Sequence, residues 1–255
     1  MMNEEQGYPP DLQVNMLWRW QDVLLIILGI GLIFGLGIAG IFVFHAVPAA
    51  SANGQLQPTL LLSALLGGLE GAALIGSVYL LGIRRRGLGW KAVKLRRPSD
   101  NWLLASLGLG ALAIPLSSLV AAGVQTLLGL PLTNPQLPFL APEGFSWAGM
   151  ISMFVLGGLV APFGEELFFR GVLYRWIRDR WGVGWGIGVS SVIFGVLHGE
   201  LSLAVAAALL GVILAWVYER SQSLWSPVLI HVINNGFKIL VLYILLANGG
   251  LPSGG

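Results

Sequence analysis

The chain of 255 residues contains no cysteine. This excludes disulfides, thiolate nucleophiles and thiolate metal sites, so any metal would rest on histidine and carboxylate, and it leaves the redox compartment open. Charge is scarce too. Asp, Glu, Lys and Arg make up 10% of the residues against 56% hydrophobic, where a soluble domain carries about a quarter charged residues. A polytopic membrane protein follows. No basic block of the kind that forms a nucleic-acid surface is present, so nucleic acid is not an expected partner. A cleavable signal peptide is missing by pattern, because polar Asn3-Glu4-Glu5-Gln6 precedes an apolar run too long for one. The first span is expected to be retained. No internal repeat is evident, which counts against a transporter.

What the chain has in abundance is apolar sequence with helical length. Runs at 23–44, 59–83, 102–130, 147–170, 185–198, 201–218 and 225–246 predict an all-α fold, a polytopic helical membrane protein with about seven transmembrane helices. Trp18 and Trp20 stand where an interfacial aromatic belt would begin. The densest basic segment is Arg84-Arg85-Arg86 with Lys91, Lys94, Arg96 and Arg97, and the positive-inside rule assigns it to the cytoplasm. Loops 46–58 and 131–143 hold no Lys or Arg and fall outside, so the N-terminus is expected to be cytoplasmic. Thirteen of the fourteen basic residues then lie on or near the inner side, Arg170 among them, and only Lys238 sits within a span. His45 reads as an interfacial histidine with no chemical role. Residues 1–100 form a polar segment, two spans and the basic loop; 101–246 form a core; and 247–255 form a Gly-rich flexible tail.

Ionisable groups inside spans are costly unless they meet a partner or water, so each is a candidate for function. Glu165 and Glu166 are adjacent in Gly164-Glu165-Glu166-Leu167-Phe168-Phe169-Arg170. Neighbouring side chains on a helix diverge by about 100°, so the two cannot face one cavity. Glu166 and Arg170, four apart, are spaced to pair and to hold the helix, which leaves Glu165 as the candidate for chemistry. Glu70 lies mid-span among Gly67, Gly68 and Gly71; it either lines the same cavity or is protonated and hydrogen-bonded between helices.

Two more polar positions, Phe194 with His198 and His231 with Asn235, each put two groups four apart on one helix face. If 147–180 and 184–198 pair about Trp181-Gly182, Glu165 and His198 stand seventeen and sixteen residues from the turn and can face each other. A lone buried histidine is more often a satisfied core group, and asparagine in a membrane helix commonly bonds to a neighbouring helix. Here, however, two of three histidines fall in apolar helices near the intramembrane carboxylate pair.

In this order, Glu165-Glu166-x-x-x-Arg170, Phe194-x-x-x-His198 and His231-x-x-x-Asn235 resemble the three signature motifs of the CAAX prenyl endopeptidase and bacteriocin-processing (CPBP, or Abi) family of intramembrane proteases. The run from Ser223 to Asn235 resembles its bacterial branch. The resemblance covers roughly residues 100–246. It implies that Glu165 and His198 activate the attacking water, that His231 and Asn235 stabilise the oxyanion, and that Glu166, Arg170 and Phe194 support them. It also implies a membrane-associated peptide or protein substrate, contact with the lipid bilayer and a place in the bacterial plasma membrane. No cofactor is the preferred reading. The alternative is a zinc-dependent protease in which Glu165, His198 and His231 hold the metal and water completes the site. A silent scaffold or bacteriocin-immunity protein and a proton-coupled transporter using Glu70, Glu165 and Lys238 are the rival classes.

Overall fold

The computed structural model describes residues 16–43, 58–132, 134 and 136–250. His45, nearly all of the loop 46–58, most of the polar N-terminal segment and the end of the tail lie outside them. Among the described residues the regular structure is entirely helical. The order is α1 (Trp20–Val43), α2 (Leu60–Arg84), α3 (Asp100–Leu127), α4 (Trp147–Trp181), α5 (Val183–Val196), α6 (Leu201–Ser221) and α7 (Trp225–Ala247). Short helical turns lie at Trp90–Val93 and Leu137–Leu140. In hydrocarbon every backbone N–H and C=O must be satisfied within the protein, and a helix does so within one segment. The chain is an integral, multi-pass membrane protein.

Six of these helices are long and apolar enough to cross a membrane. The expected fifth span is the difference. It is the 14-residue α5, about 21 Å long against about 30 Å of hydrocarbon. Gly182, at φ +88°, makes the reversal from α4, and α5 returns as a hairpin with α6. That hairpin is packed backbone to backbone: a Cβ on Gly195 would lie 2.4 Å from the Ala204 carbonyl oxygen. Leucines such as Leu28, Leu36, Leu104 and Leu119 stand exposed on α1 and α3, as on a surface facing acyl chains.

The two ends of the bundle differ as the charge pattern predicts. At the basic end, Asp22 at the start of α1 pairs with Arg85 and with Arg86, the latter at 2.7 Å. Arg180 donates to the Trp18 carbonyl. At the other end the Leu60 amide donates to Glu143, and the Tyr243 hydroxyl to the Leu140 carbonyl. Arg170 departs from expectation. It is 1% exposed inside α4 rather than at the inner surface, because its partner Glu166 is equally buried and draws it inward.

Candidate active site

α4 is not a uniform helix. Phe154–Val160 and Phe169–Tyr174 are π-helical and flank the α-helical Ala161–Phe168 that carries both glutamates. Pro162 has no N–H to give, and the wider turn just before it accommodates that loss. α4 then meets α7 closely, since a Cβ on Gly158 would sit 3.2 Å from the Gly236 Cα. This close approach brings Glu165 and Glu166 against His231.

Glu166 does more than pair along its own helix. Its Oε1 accepts from Arg170 Nη1 at 2.7 Å and from His231 Nδ1 at 2.9 Å. All three groups are almost fully buried. With Nδ1–H committed to Glu166, Nε2 is the ring nitrogen turned to Glu165, 3.6 Å from its Oε2. That distance is too long for a hydrogen bond. Glu165 Oε2 is itself buried and accepts no hydrogen bond among the described residues.

Phe194 is the hub between the motifs. Its ring meets those of His198, His231 and Phe169 edge-on at 4.9, 5.7 and 4.9 Å, and the Arg170 guanidinium lies 4.7 Å from its centre. His198 sits just past the end of α5, and its Nδ1 bonds the Phe194 carbonyl at 2.9 Å. A carbonyl only accepts, so Nδ1 carries the proton and Nε2 keeps its lone pair. The imidazole found against Glu165 is therefore that of His231; no direct contact joins Glu165 to His198 among the described residues.

Glu70, from α2, reaches the site and lies within hydrogen-bonding reach of the Glu165 carboxyl. Two ionised carboxylates side by side repel, so a proton on one of them relieves the contact. On the far side, Lys238 Nζ donates to Ser117 Oγ at 2.7 Å, Ser117 Oγ donates to Asn234 Oδ1 at 3.0 Å, and Asn234 Nδ2 donates to Asn235 Oδ1 at 2.9 Å. An ammonium can only donate, so Ser117 Oγ receives from Lys238 and has one proton to give, to Asn234 Oδ1 or to the Ala113 carbonyl at 2.7 Å. With the Ser117 proton on Asn234, Asn235 receives through its oxygen and has its NH2 left to give.

The candidate metal donors do not converge: among the described residues no group of three His, Asp or Glu is placed to hold an ion. Sequence reasoning missed Ser117, Asn234 and the second partner of Glu166. The available signals were Asn234 beside Asn235 in an apolar span, and Lys238 one turn from Asn234.

Residues 146–237 match the family model described as Type II CAAX prenyl endopeptidase Rce1-like. The motif resemblance is thereby borne out over the stretch holding Glu165, His198, His231 and Asn235. Over 89 residues the chain is 27% identical to the Bacillus subtilis (strain 168) protein named "Putative membrane peptidase YdiL", covering 35% of this chain and 36% of that one. Over 145 residues it is 30% identical to an Escherichia coli protein named "Uncharacterized 24.3 kDa protein", covering 54% and 62%. The chain thus spans about a third and about three fifths of these relatives. No solved structure matches.

Proposed function

We propose that the chain is an intramembrane endopeptidase that hydrolyses a peptide bond of a membrane-associated peptide or protein with water activated by Glu165. The observation that carries this reading is a buried carboxylate oxygen with no hydrogen bond among the described residues, facing an imidazole whose other nitrogen is held by a second buried carboxylate. The family match over the same stretch supports it. A scaffold has no need of so costly a grouping.

The chemistry runs through this chain's own groups. Glu165 accepts a proton from water as the water oxygen attacks the scissile carbonyl carbon, and His198 Nε2 accepts a hydrogen bond from the same water and aligns it. The carbonyl electron pair moves to oxygen. There Asn235 Nδ2–H donates, joined by His231 Nε2–H when both nitrogens of that ring are protonated. On collapse the C–N bond breaks, and the proton held by Glu165 passes to the leaving nitrogen. Glu166, Arg170 and Phe194 hold the two imidazoles. Glu70 holds the proton shared with Glu165. Because the donor set does not converge, no step is routed through a metal.

The test is a comparison of membrane proteomes from cells carrying the wild type and Glu165→Gln. The amide keeps the volume and loses the base, so a cleaved substrate should accumulate uncleaved while the variant protein stays folded. Equal processing in both strains would remove Glu165 from the mechanism.

A further inference from the structure

The basic end of the bundle carries a second feature, apart from the glutamates and histidines. A cavity of about 490 Å³ is lined by Leu17, Lys91, Ala92, Lys94, Arg96, Arg175 and Gln222. Four of these side chains are cations and none is an acid. The volume lies in the range of small-molecule sites, about 300–1,000 Å³.

The neighbouring acids are already engaged. Glu219 is held by Arg178 and by the Tyr174 hydroxyl, each at 2.9 Å, and Asp22 is taken by Arg85 and Arg86. The walls are fixed rather than a loose patch. Lys94 adopts a left-handed turn at φ 55°, and its carbonyl accepts the Leu224 amide at 2.9 Å. Arg96 Nε donates to the Gln222 carbonyl at 2.7 Å, Ser223 Oγ to the Arg96 carbonyl, and Arg175 to the Ala92 carbonyl. These bonds tie the loop to α4 and to the α6–α7 turn and still leave donors over. Lys91 and Lys94 have no hydrogen-bond acceptor among the described residues, and Arg96 uses only Nε. The Lys94 ammonium lies 5.0 Å from the centre of the Tyr218 ring. Burial, and after it the adjacent Arg175, push its pKa down to about 8 against the pull of Glu219.

We infer that this cavity binds a phosphate-bearing anion, the headgroup of an anionic phospholipid of the cytoplasmic leaflet. Ammonium and guanidinium donors that form no ion pair among the described residues match phosphate oxygens. A basic pocket where helices end, on the side assigned to the cytoplasm, is where such headgroups lie. Leu17 at the edge offers apolar contact to the start of an acyl chain. The site is independent of proteolysis, and its test reads binding alone.

The purified full-length chain in detergent is titrated with phosphatidylglycerol, phosphatidylcholine or inorganic phosphate, at ionic strength matched with chloride, while its melting temperature is followed. Phosphatidylglycerol should raise it saturably and phosphatidylcholine should not. Lys91→Gln with Lys94→Asn, asparagine being tolerant of the left-handed turn, should weaken the apparent affinity about 30-fold. Lys91→Gln alone, on an exposed side chain that holds nothing else, should weaken it about fivefold and stays readable if the double variant misfolds. Arg97→Gln removes a charge of the same loop outside the cavity and should change nothing. Saturation by inorganic phosphate with the same variant dependence, and none by phosphatidylglycerol, would keep the phosphate site and overturn the lipid as its source. No saturable response to either, or a Lys91→Gln variant that titrates like wild type, would overturn the site.

Discussion

Glu166→Gln separates the two tasks of one carboxylate. The amide oxygen can still touch Arg170 but no longer neutralises it, and Arg170 keeps the Gly211 carbonyl at 3.1 Å and the face of the Phe194 ring, neither of them charged. Stranding a fully buried cation costs about 3–5 kcal/mol. At roughly 2–4 °C per kcal/mol for a chain of this size, the melting temperature should fall by about 6–20 °C. His231 also loses the acceptor that orders its ring, and a loss of that kind in a hydrolase is worth on the order of 100-fold or more in turnover. Pairing Glu166→Gln with Arg170→Met removes the cation as well. Stability should then return, since an apolar replacement of a buried ion pair is often neutral or better, while turnover should stay low because His231 Nδ1 still lacks its carboxylate. The assay is thermal unfolding in detergent beside the cleavage rate per folded molecule, on the substrate found by the proteome comparison. If the double variant recovers both stability and turnover, Glu166 serves only Arg170 and the account of His231 is wrong.

Lys238→Met should leave stability intact or improved, because it removes a desolvated cation. It should also lower kcat without moving KM, between about twofold if the Asn235 amide is left unbiased and about 100-fold if it is reversed; unchanged kcat would mean that the Lys238–Ser117–Asn234 chain does not orient Asn235. Enzyme stripped by a strong chelator and shown metal-free by elemental analysis should retain turnover; stoichiometric zinc that is lost with His198→Ala or His231→Ala, and whose removal stops turnover without unfolding, would sink the metal-free mechanism. Lys94 is held near pKa 8 against an ordinary 10.5 by burial and by Arg175, Arg178 and Arg96, opposed by Glu219, with the Tyr218 ring beneath it. The folded state therefore binds fewer protons than the unfolded one between these values, so wild-type stability relative to Lys94→Asn should rise with pH from about 8 upwards. A flat difference between their melting temperatures over that window would contradict the burial of Lys94.

Spacing along a helix was readable from the sequence, and neighbours across helices were not. The pairing of Glu166 with Arg170 and the shared face of Phe194 and His198 follow from a separation of four, and both hold. Contacts between spans depend on rotation and depth, which a uniformly apolar run does not encode. That is why Glu70 beside Glu165, Glu166 on His231 and Ser117 on Asn234 emerge only from the fold. Counting residues from the Trp181-Gly182 turn allows Glu165 to face His198 but does not foretell that the imidazole beside Glu165 is that of His231, since the π-helical stretches of α4 change the rise and rotation assumed in that count. The same difficulty hid the depth of Arg170. Its charge suggested a surface, and only the buried Glu166 overrides that preference.

The indole of Trp18, with no exposed surface, donates to the Gly171 carbonyl at 2.8 Å, within the second π-helical stretch of α4. Trp18 lies far outside residues 146–237, so a segment beyond the family match hydrogen-bonds the backbone of the helix that bears the glutamates. Handling of the N-terminus therefore has a cost at a distance. A recombinant chain trimmed to begin at Trp20 would take the indole donor from the Gly171 carbonyl in an apolar setting and would also remove the carbonyl that Arg180 uses. Trimming or fusion should therefore stop ahead of Leu17, even where the first helix itself is kept whole.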